Sequence, residues 1–434
     1  MMRSILVKTR LPLISLLLAV FASPLAAQQQ VGFRDAIQMA LKHSGVMASA
    51  SAERARAAAR YRAERFNYFP TVNFGLSPGY SFGVAVTVAG QVPALFNITH
   101  SQMLFNLAES DIVRAAHSDS IAANIDYSDR VEQVILDTSL LYIEFDSFTQ
   151  RLKAAHEQKQ SVEHALYIAQ QRQQEGIGSV LDTKRAELDL ARSELRIFEL
   201  ESTEGVLRER LARAIGKSAA DISTVSATIP QAPPLHSEED LSSIALANSA
   251  AVHVLDEHVR GARLRARAEH RMNLPSVDIS GQFAEFTPYI NYGLTNTPTH
   301  NYSFAFNIRV PIINLAQNAR AAAADAEALK VEIDAQNVRD QVATDAVRAQ
   351  HSVRQLEALA KVSRLEYEVA QANIDAVQGQ VQSGRANARD EEMARAAVAN
   401  QQVTLLQSQF EFIRAQLQLL RQTGELHTWA LGNQ

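Results

Sequence analysis

The feature that most constrains this chain is the stretch from Asn106 to Glu175, which contains neither glycine nor proline. As one helix it would run for about 105 Å at ~1.5 Å per residue, against a mean globular helix of roughly 11–12 residues. A compact domain has no use for such a rod, so the helix is expected to bridge a distance. Gly176-Ile177-Gly178 ends it, and a second helical run continues to Gly216. The layout then recurs. Asn314 opens another long run, interrupted at Gly379 and Gly384, and a further helix leads to Gly424.

Apolar spacing says how these rods pack. Val131, Ile135, Thr138, Leu141, Phe145, Phe148 and Leu152 step by three or four residues, as do Val403, Leu406, Phe410, Ile413, Leu417 and Leu420. The mean step is close to 3.5, the period of helices packed along their length.

Before each long helix the period changes. Phe33, Ile37 and Leu41 predict a short helix, Gly45 interrupts it, and Ala48 to Asn67 predicts an arginine-rich one that Pro70 stops. Val72, Phe74 and Leu76 alternate, as do Tyr80, Phe82, Val84, Val86 and Val88, which predicts strand. Gly90 and Pro93 predict a turn, and residues 94–104 a return strand. The second half repeats the plan, with helices at Asp240 to Ala247 and Ala251 to Arg271, then Pro275 and the alternating Val277, Ile279, Gly281 and Phe283. After a polar loop around 291–300, Tyr302, Phe304, Phe306, Ile308 and Val310 share one face of a strand. Asn301, Ser303, Ala305, Asn307 and Arg309 share the other.

The halves match at an offset of 205 before the strands (Arg62-Ala63-Glu64 on Arg267-Ala268-Glu269) and 208 after them (Gly176 on Gly384, Asp182 on Asp390, Gly216 on Gly424). One loop insertion in a duplicated unit produces that change. The expected organisation is a first repeat over 31–216, a connector over 217–236, a second repeat over 237–426 and a tail over 427–434.

Residues 1–27 read as a secretory signal peptide: Arg3, Lys8 and Arg10, then the apolar Leu11 to Ala22, then small residues. Its removal leaves a net charge of about −8. No cysteine occurs, so disulfides and a lipidated amino-terminal cysteine are both excluded. No later segment is apolar for long enough to be a transmembrane helix. Membrane entry would require a closed barrel. Each repeat supplies two strands and one chain four, fewer than the roughly eight of the smallest barrels. Several chains would therefore share one barrel, and three would give twelve strands, with aromatic residues toward lipid and Asn307 and Arg309 toward a wet lumen.

The duplicated plan, the signal peptide, the proline before each first strand, the run Glu175-Gly176-Ile177-Gly178-Ser179-Val180-Leu181-Asp182 and the joint Leu104-Phe105-Asn106 resemble the TolC-like outer-membrane efflux and secretion channels. The resemblance implies a mainly α fold with a small β part: a homotrimeric twelve-stranded outer-membrane β-barrel, four strands per chain, continued by a long periplasmic α-helical coiled-coil barrel. It implies a passive exit duct of a Gram-negative efflux or secretion system. The partners would be a periplasmic adaptor protein, an inner-membrane transporter and outer-membrane lipid. It places a periplasmic gate at the helix tips, with a ring of Asp390, its repeat mate Asp182, and Arg385 as a latch to Asp182. The next inward position, Met393, departs from a two-ring pattern, so the resemblance implies a single ring. Gly176, Ile177 and Gly384 would form the docking tips.

Plainer roles compete with these. An acid near a helix start favours the dipole, which accounts for Asp182 and Asp390 without a gate. The arginines of 54–65 and 260–271 fit charge near the membrane boundary; an exported acidic protein is a poor nucleic-acid binder. The twelve histidines show no metal-ligand spacing, and Trp429 reads as a packing anchor. No nucleophile–base pattern, cofactor motif or metal site emerges. A coiled-coil scaffold without a pore is the alternative, and an exported helical enzyme a third reading.

Overall fold

The computed structural model describes residues 29–76, 94–231, 241–286 and 300–432. The signal peptide, the alternation at Tyr80 to Val88, the Gly90–Pro93 turn, Pro233-Pro234 and most of the polar loop near 291 lie outside these residues. In chain order the elements are β1 (Gln29–Val31), α1 (Phe33–His43), α2 (Gly45–Phe66), β2 (Thr71–Leu76), β3 (Ala94–Phe105), α3 (Leu107–Gln174), α4 (Val180–Ile215), β4 (Ile222–Thr224), α5 (Leu241–Asn248), α6 (Ala250–Arg271), β5 (Ser276–Phe286), β6 (His300–Arg309), α7 (Leu315–Gln382), α8 (Ala388–Thr423) and α9 (Leu426–Leu431). The protein is mainly helical with a small sheet.

Three pairs of matching helices have equal lengths, whereas α1 has 11 residues and α5 has 8. α2 and α6 each have 22 residues, α3 and α7 each 68, and α4 and α8 each 36. The sequence shows why the long helices begin where they do. Asn106 caps α3, its side-chain oxygen accepting from the N–H groups of Ala108 and Glu109, and Asn314 caps α7 by accepting from Gln317 N–H. Each shorter partner ends on a left-handed glycine, Gly216 at φ +71 and Gly424 at φ +78. The expected interruption at Gly379 does not occur; it lies inside α7, with nothing within 4 Å of where a Cβ would stand. One interior glycine costs only about 1 kcal/mol, which a helix of this length and packing absorbs.

α3 packs against α2, α4, α6 and α8, and α7 against α5, α6 and α8. Between β3 and the core, α3 buries Ala108, Asp111, Ala115, Ser118 and Ala122, small residues at steps of three and four. α6 meets this stripe and α7 with Gly261, Ala262 and Ala266. Small side chains let helix axes approach closely, a signal that a search for large apolar residues passes over.

The largest core lies at mid-length, where the repeats meet. It joins Phe33 and Ile37 of α1 with Ile135, Tyr142 and Phe145 of α3. α4 adds Leu211 and Ile215, β4 adds Ile222, α8 adds Leu417, and α9 adds Leu426. Ile135, Thr138, Phe145 and Leu417 are buried, as their heptad spacing requires. Trp429 stacks edge-on against Phe33 at 5.4 Å and donates Nε1–H to the Gln231 carbonyl. Residues 426–431 form helix α9 where the spacing predicts only a tail. β1 pairs in parallel with β4, Gln29 opposite Ile222 and Val31 opposite Thr224. The connector is thus clamped to the start of the fold. Buried Asp146 strengthens the clamp by accepting from the Thr224 and Ser226 hydroxyls at 2.9 and 2.7 Å.

Near the same belt, Glu132 is half-buried and its Oε2 has no hydrogen-bond partner. Burial pushes its carboxyl above the ordinary range; the nearby His427 and Arg421 oppose this, and Asp129 adds to it. Because the folded pKa exceeds the unfolded one, ionisation above it costs stability. Glu132→Gln should therefore raise the unfolding midpoint at neutral pH. The advantage should vanish as pH falls below the unfolded value, where wild-type Glu132 is protonated in both states. Unfolding curves at neutral and acidic pH check this.

β2-β3-β5-β6 form one antiparallel sheet. The strands lie between the short and long helices of each repeat, so the sheet caps one end of the rods. Among the described residues no helix is long and apolar enough to cross a membrane.

Candidate functional site

Two regions carry the residues that the sequence singles out: the sheet and the helix tips.

The register of the sheet sorts its side chains by face. Phe74 is opposite Ile98, Ile98 opposite Phe283, and Phe283 opposite Tyr302. Val72, Phe74, Phe96, Ile98, Val277, Ile279, Phe283, Tyr302, Phe304, Phe306 and Ile308 therefore share one face. Asn73, Asn97, Thr99, Ser101, Asp278, Ser280, Gln282, Asn301, Ser303, Asn307 and Arg309 share the other. Aromatic rings cross all four strands on the apolar face, with centroids 6.0 Å apart from Phe74 to Phe96, 5.8 Å from Phe96 to Phe283 and 4.8 Å from Phe283 to Tyr302. Gly281 sits under Phe304, whose ring lies 3.1 Å from where a Cβ would stand. This apolar face is bare: Phe304 is 81% exposed and Phe306 72%. On the polar face, Asn307 Nδ2 donates to Ser280 Oγ at 3.1 Å, and Arg309 lies opposite Ser276. β2 and β6 are the outer strands, and each has one unpaired edge among the described residues.

At the far end of the rods, both tips turn in the same way. Gly176 takes φ +78 and Gly384 φ +72, left-handed values that favour glycine. In the first tip, Gly178 N–H reaches the Arg172 carbonyl at 2.7 Å; the matching Ala386 N–H reaches the Gln380 carbonyl at 3.3 Å. A Cβ on Gly178 would stand 2.6 Å from Gln173 N, so glycine lets the first tip close more tightly than alanine lets the second. Ile177 is 67% exposed at the end of the hairpin.

The next helices begin on Ser179 and Asn387. Asn387 and Asp390 form a reciprocal capping box: Asn387 Oδ1 accepts from Asp390 N–H at 3.1 Å, and Asp390 Oδ2 accepts from Asn387 N–H at 3.0 Å. Asp390 thus has a structural role at this helix start. Asp182 occupies the same position in α4 and is 56% exposed, 3.9 Å from Arg185. No ion pair joins Asp182 to Arg385 within the chain among the described residues; Arg385 lies exposed in the second tip.

The structure does bring Asp182 together with residues of the second repeat. A cleft of about 1030 Å³ runs between the α3–α4 hairpin and the start of α8. Ile168, Leu188 and Met393 give it apolar surface; Arg172, Arg185 and Arg389 line it with Asp182 and Glu392. Burial pushes the Glu392 carboxyl above its ordinary range, with Arg395 opposing the shift. Glu391 turns away to Arg395, at 2.5 Å. Spacing along the chain offers no pointer to Arg389 or Glu392 as cleft residues, because the cleft exists only once two hairpins about 200 residues apart lie side by side.

Paired helical rods capped by a sheet with one exposed apolar face and one polar face define an elongated protein. Residues 36–217 match the family model of outer membrane efflux proteins. The chain resembles this TolC-like family in the sequence of its first repeat and in fold across nearly its whole length. It is similar to the outer membrane protein VceC of Vibrio cholerae at 16% identity and TM-score 0.74, covering 90% of this chain and 96% of that one. It is similar to the MtrE outer membrane channel of Neisseria gonorrhoeae at 16% identity and TM-score 0.71, covering 94% and 92%. For the CmeC outer membrane channel of Campylobacter jejuni the values are 15%, 0.69, 93% and 87%. No curated protein sequence matches the chain.

Proposed function

We propose that this chain is one of three subunits of an outer-membrane exit duct. The observation that carries the reading is the sheet: among the described residues it has four strands with one aromatic face, one polar face and an unpaired edge on each side. Backbone edges are not tolerated in lipid, and four strands are too few to close on themselves. Three copies joined β6 to β2 would remove every edge, turn the aromatic rings toward lipid and enclose Asn307 and Arg309. The rods would continue as a periplasmic tunnel. Its tips, at Gly176, Ile177 and Gly384, would meet an adaptor protein, and an inner-membrane transporter would supply the energy. The duct itself would carry out no chemistry.

The test is the detergent-corrected mass of mature protein extracted from the outer-membrane fraction. Three chains are expected. A soluble monomer or dimer, absent from that fraction, would overturn the duct and favour a coiled-coil scaffold.

In this reading three Asp390 carboxylates approach the axis, and an Asp182–Arg385 latch would form between chains. Fixed acids in a narrow path concentrate cations. Asparagine at 390 retains a side-chain oxygen for the cap, so the helix start should persist. Asp390→Asn should lower the cation-over-anion permeability ratio by about twofold to tenfold in planar bilayers. An unchanged ratio would remove Asp390 from the gate and leave it only its capping role.

A further inference from the structure

The strongest unexplained feature is a cluster of arginines at the sheet end of α6. Asp111 of α3 is fully buried, and three guanidinium groups converge on it. Arg267 makes a two-pronged contact through Nε and Nη2, both at 3.0 Å; Arg271 Nη1 lies at 2.9 Å and Arg114 Nη2 at 2.8 Å. One carboxylate thus faces three fixed cations. Arg267 Nη1 and Arg271 Nε and Nη2 have no partner among the described residues.

Both arginines line a cleft. A space of about 530 Å³ between α6 and α7 is lined by Arg263, Arg267, His270 and Arg271, with Asp325, Ala266 and Ala328. Asp325 is occupied by His270 Nε2 at 2.8 Å, and Arg263 by Glu332 at 2.6 Å. The excess charge therefore rests on Arg267 and Arg271. Among the described residues the first repeat has no counterpart. Arg62, which matches Arg267, donates only to the Ala58 carbonyl of its own helix among the described residues, and position 319, which matches Asp111, is alanine. The site is therefore particular to α6 and is not a general property of arginine-rich helices. It also lies where the chain turns apolar: Met272 and Leu274 follow it, and Ile312, Ile313 and Leu315 are exposed at the nearby β6–α7 joint.

We propose that this cleft binds a phosphate group, with Arg271 and Arg267 as the principal ligands and Arg263 at its edge. The buried Asp111 holds the two guanidiniums in place, so little ordering is needed on binding. Planar guanidinium groups fit phosphate oxygens in pairs. A 530 Å³ cleft admits a phosphate and the groups attached to it. The source is either a free phosphate anion or the headgroup of a phospholipid at the adjoining apolar surface.

The full mature protein, purified in a neutral detergent, should be titrated with inorganic phosphate by calorimetry, with chloride at equal ionic strength as control. Saturable binding is expected with phosphate only. Arg271→Gln should weaken it about tenfold or more. Because that change also touches Asp111, Arg263→Gln provides a second test: its ion-pair partner is exposed Glu332, and the change should weaken binding about threefold. A short-chain phosphatidylglycerol that competes with phosphate and binds more tightly identifies a lipid headgroup. No competition identifies a free anion. Equal heats with phosphate and chloride would overturn the proposal, as would unaltered affinity in whichever variant keeps its helical circular dichroism. The mass measurement that tests the duct is independent of all these outcomes.

Discussion

Replacing Tyr142 with alanine should destabilise the protein by about 3–5 kcal/mol, the largest single-residue effect expected in it. Tyr142 is fully buried at the centre of the mid-length core. Its ring packs edge-on against Phe33 at 5.4 Å. Its hydroxyl accepts from Val225 N–H at 2.8 Å and donates to the Val31 carbonyl at 2.8 Å. One side chain of the long helix therefore holds both β1 and the connector that follows β4. Truncation would open a cavity and leave two backbone groups without their partner. Tyr142→Phe separates the two contributions, since it keeps the ring and loses only the hydroxyl; about 1–3 kcal/mol is expected. Unfolding of the purified protein by denaturant measures both. If Tyr142→Phe costs as much as Tyr142→Ala, the hydroxyl clamp contributes more than the packing of the ring. If neither moves the midpoint, the core is not organised around this residue.

The second large effect is expected at Asp111. Removing one partner of a buried ion pair typically costs about 3–5 kcal/mol, because the remaining charge is left uncompensated. Here the remaining charges are three arginines whose side chains are 31–55% exposed. Solvent would relieve part of their repulsion, so Asp111→Asn should cost about 2 kcal/mol. The loss should shrink with added salt, which screens the exposed guanidiniums. A salt-independent loss would mean that Asp111 acts through packing alone. The measurement bears on architecture as well as stability, since Asp111 joins α3 of the first repeat to α6 of the second.

Much of this architecture is legible in the sequence because it depends on local rules. The long helices follow from runs free of glycine and proline, and their starts from Asn106 and Asn314, residues suited to accept free N–H groups at a helix start. Period two exposes the strand faces, so the division of Phe304 and Phe306 from Asn307 and Arg309 can be read directly from spacing. Gly176 and Gly384 mark the tips because a left-handed residue is needed there. Gly379 misled for the same local reason: glycine weakens a helix but does not end one that is packed along its length. Residues 77–93 and 287–299 lie outside what the structure describes, and so does the alternation predicted at Tyr80 to Val88.

What the sequence alone determined was the main helices and the strands of the four-stranded sheet, their recurrence in two halves and the two-faced character of the strands, since each element is set by residues within a few turns of one another; β1, β4 and α9 left no such signal. Only the tertiary structure decided which elements meet. The pairing of β1 with β4, the grip of Tyr142 on β1 and on the connector after β4, the convergence of three arginines on Asp111 and the cleft joining Asp182 to Arg389 and Glu392 all connect distant segments. Spacing along the chain carries no record of such encounters, because they are fixed by how long rods lie against one another and by which small residues let them come close.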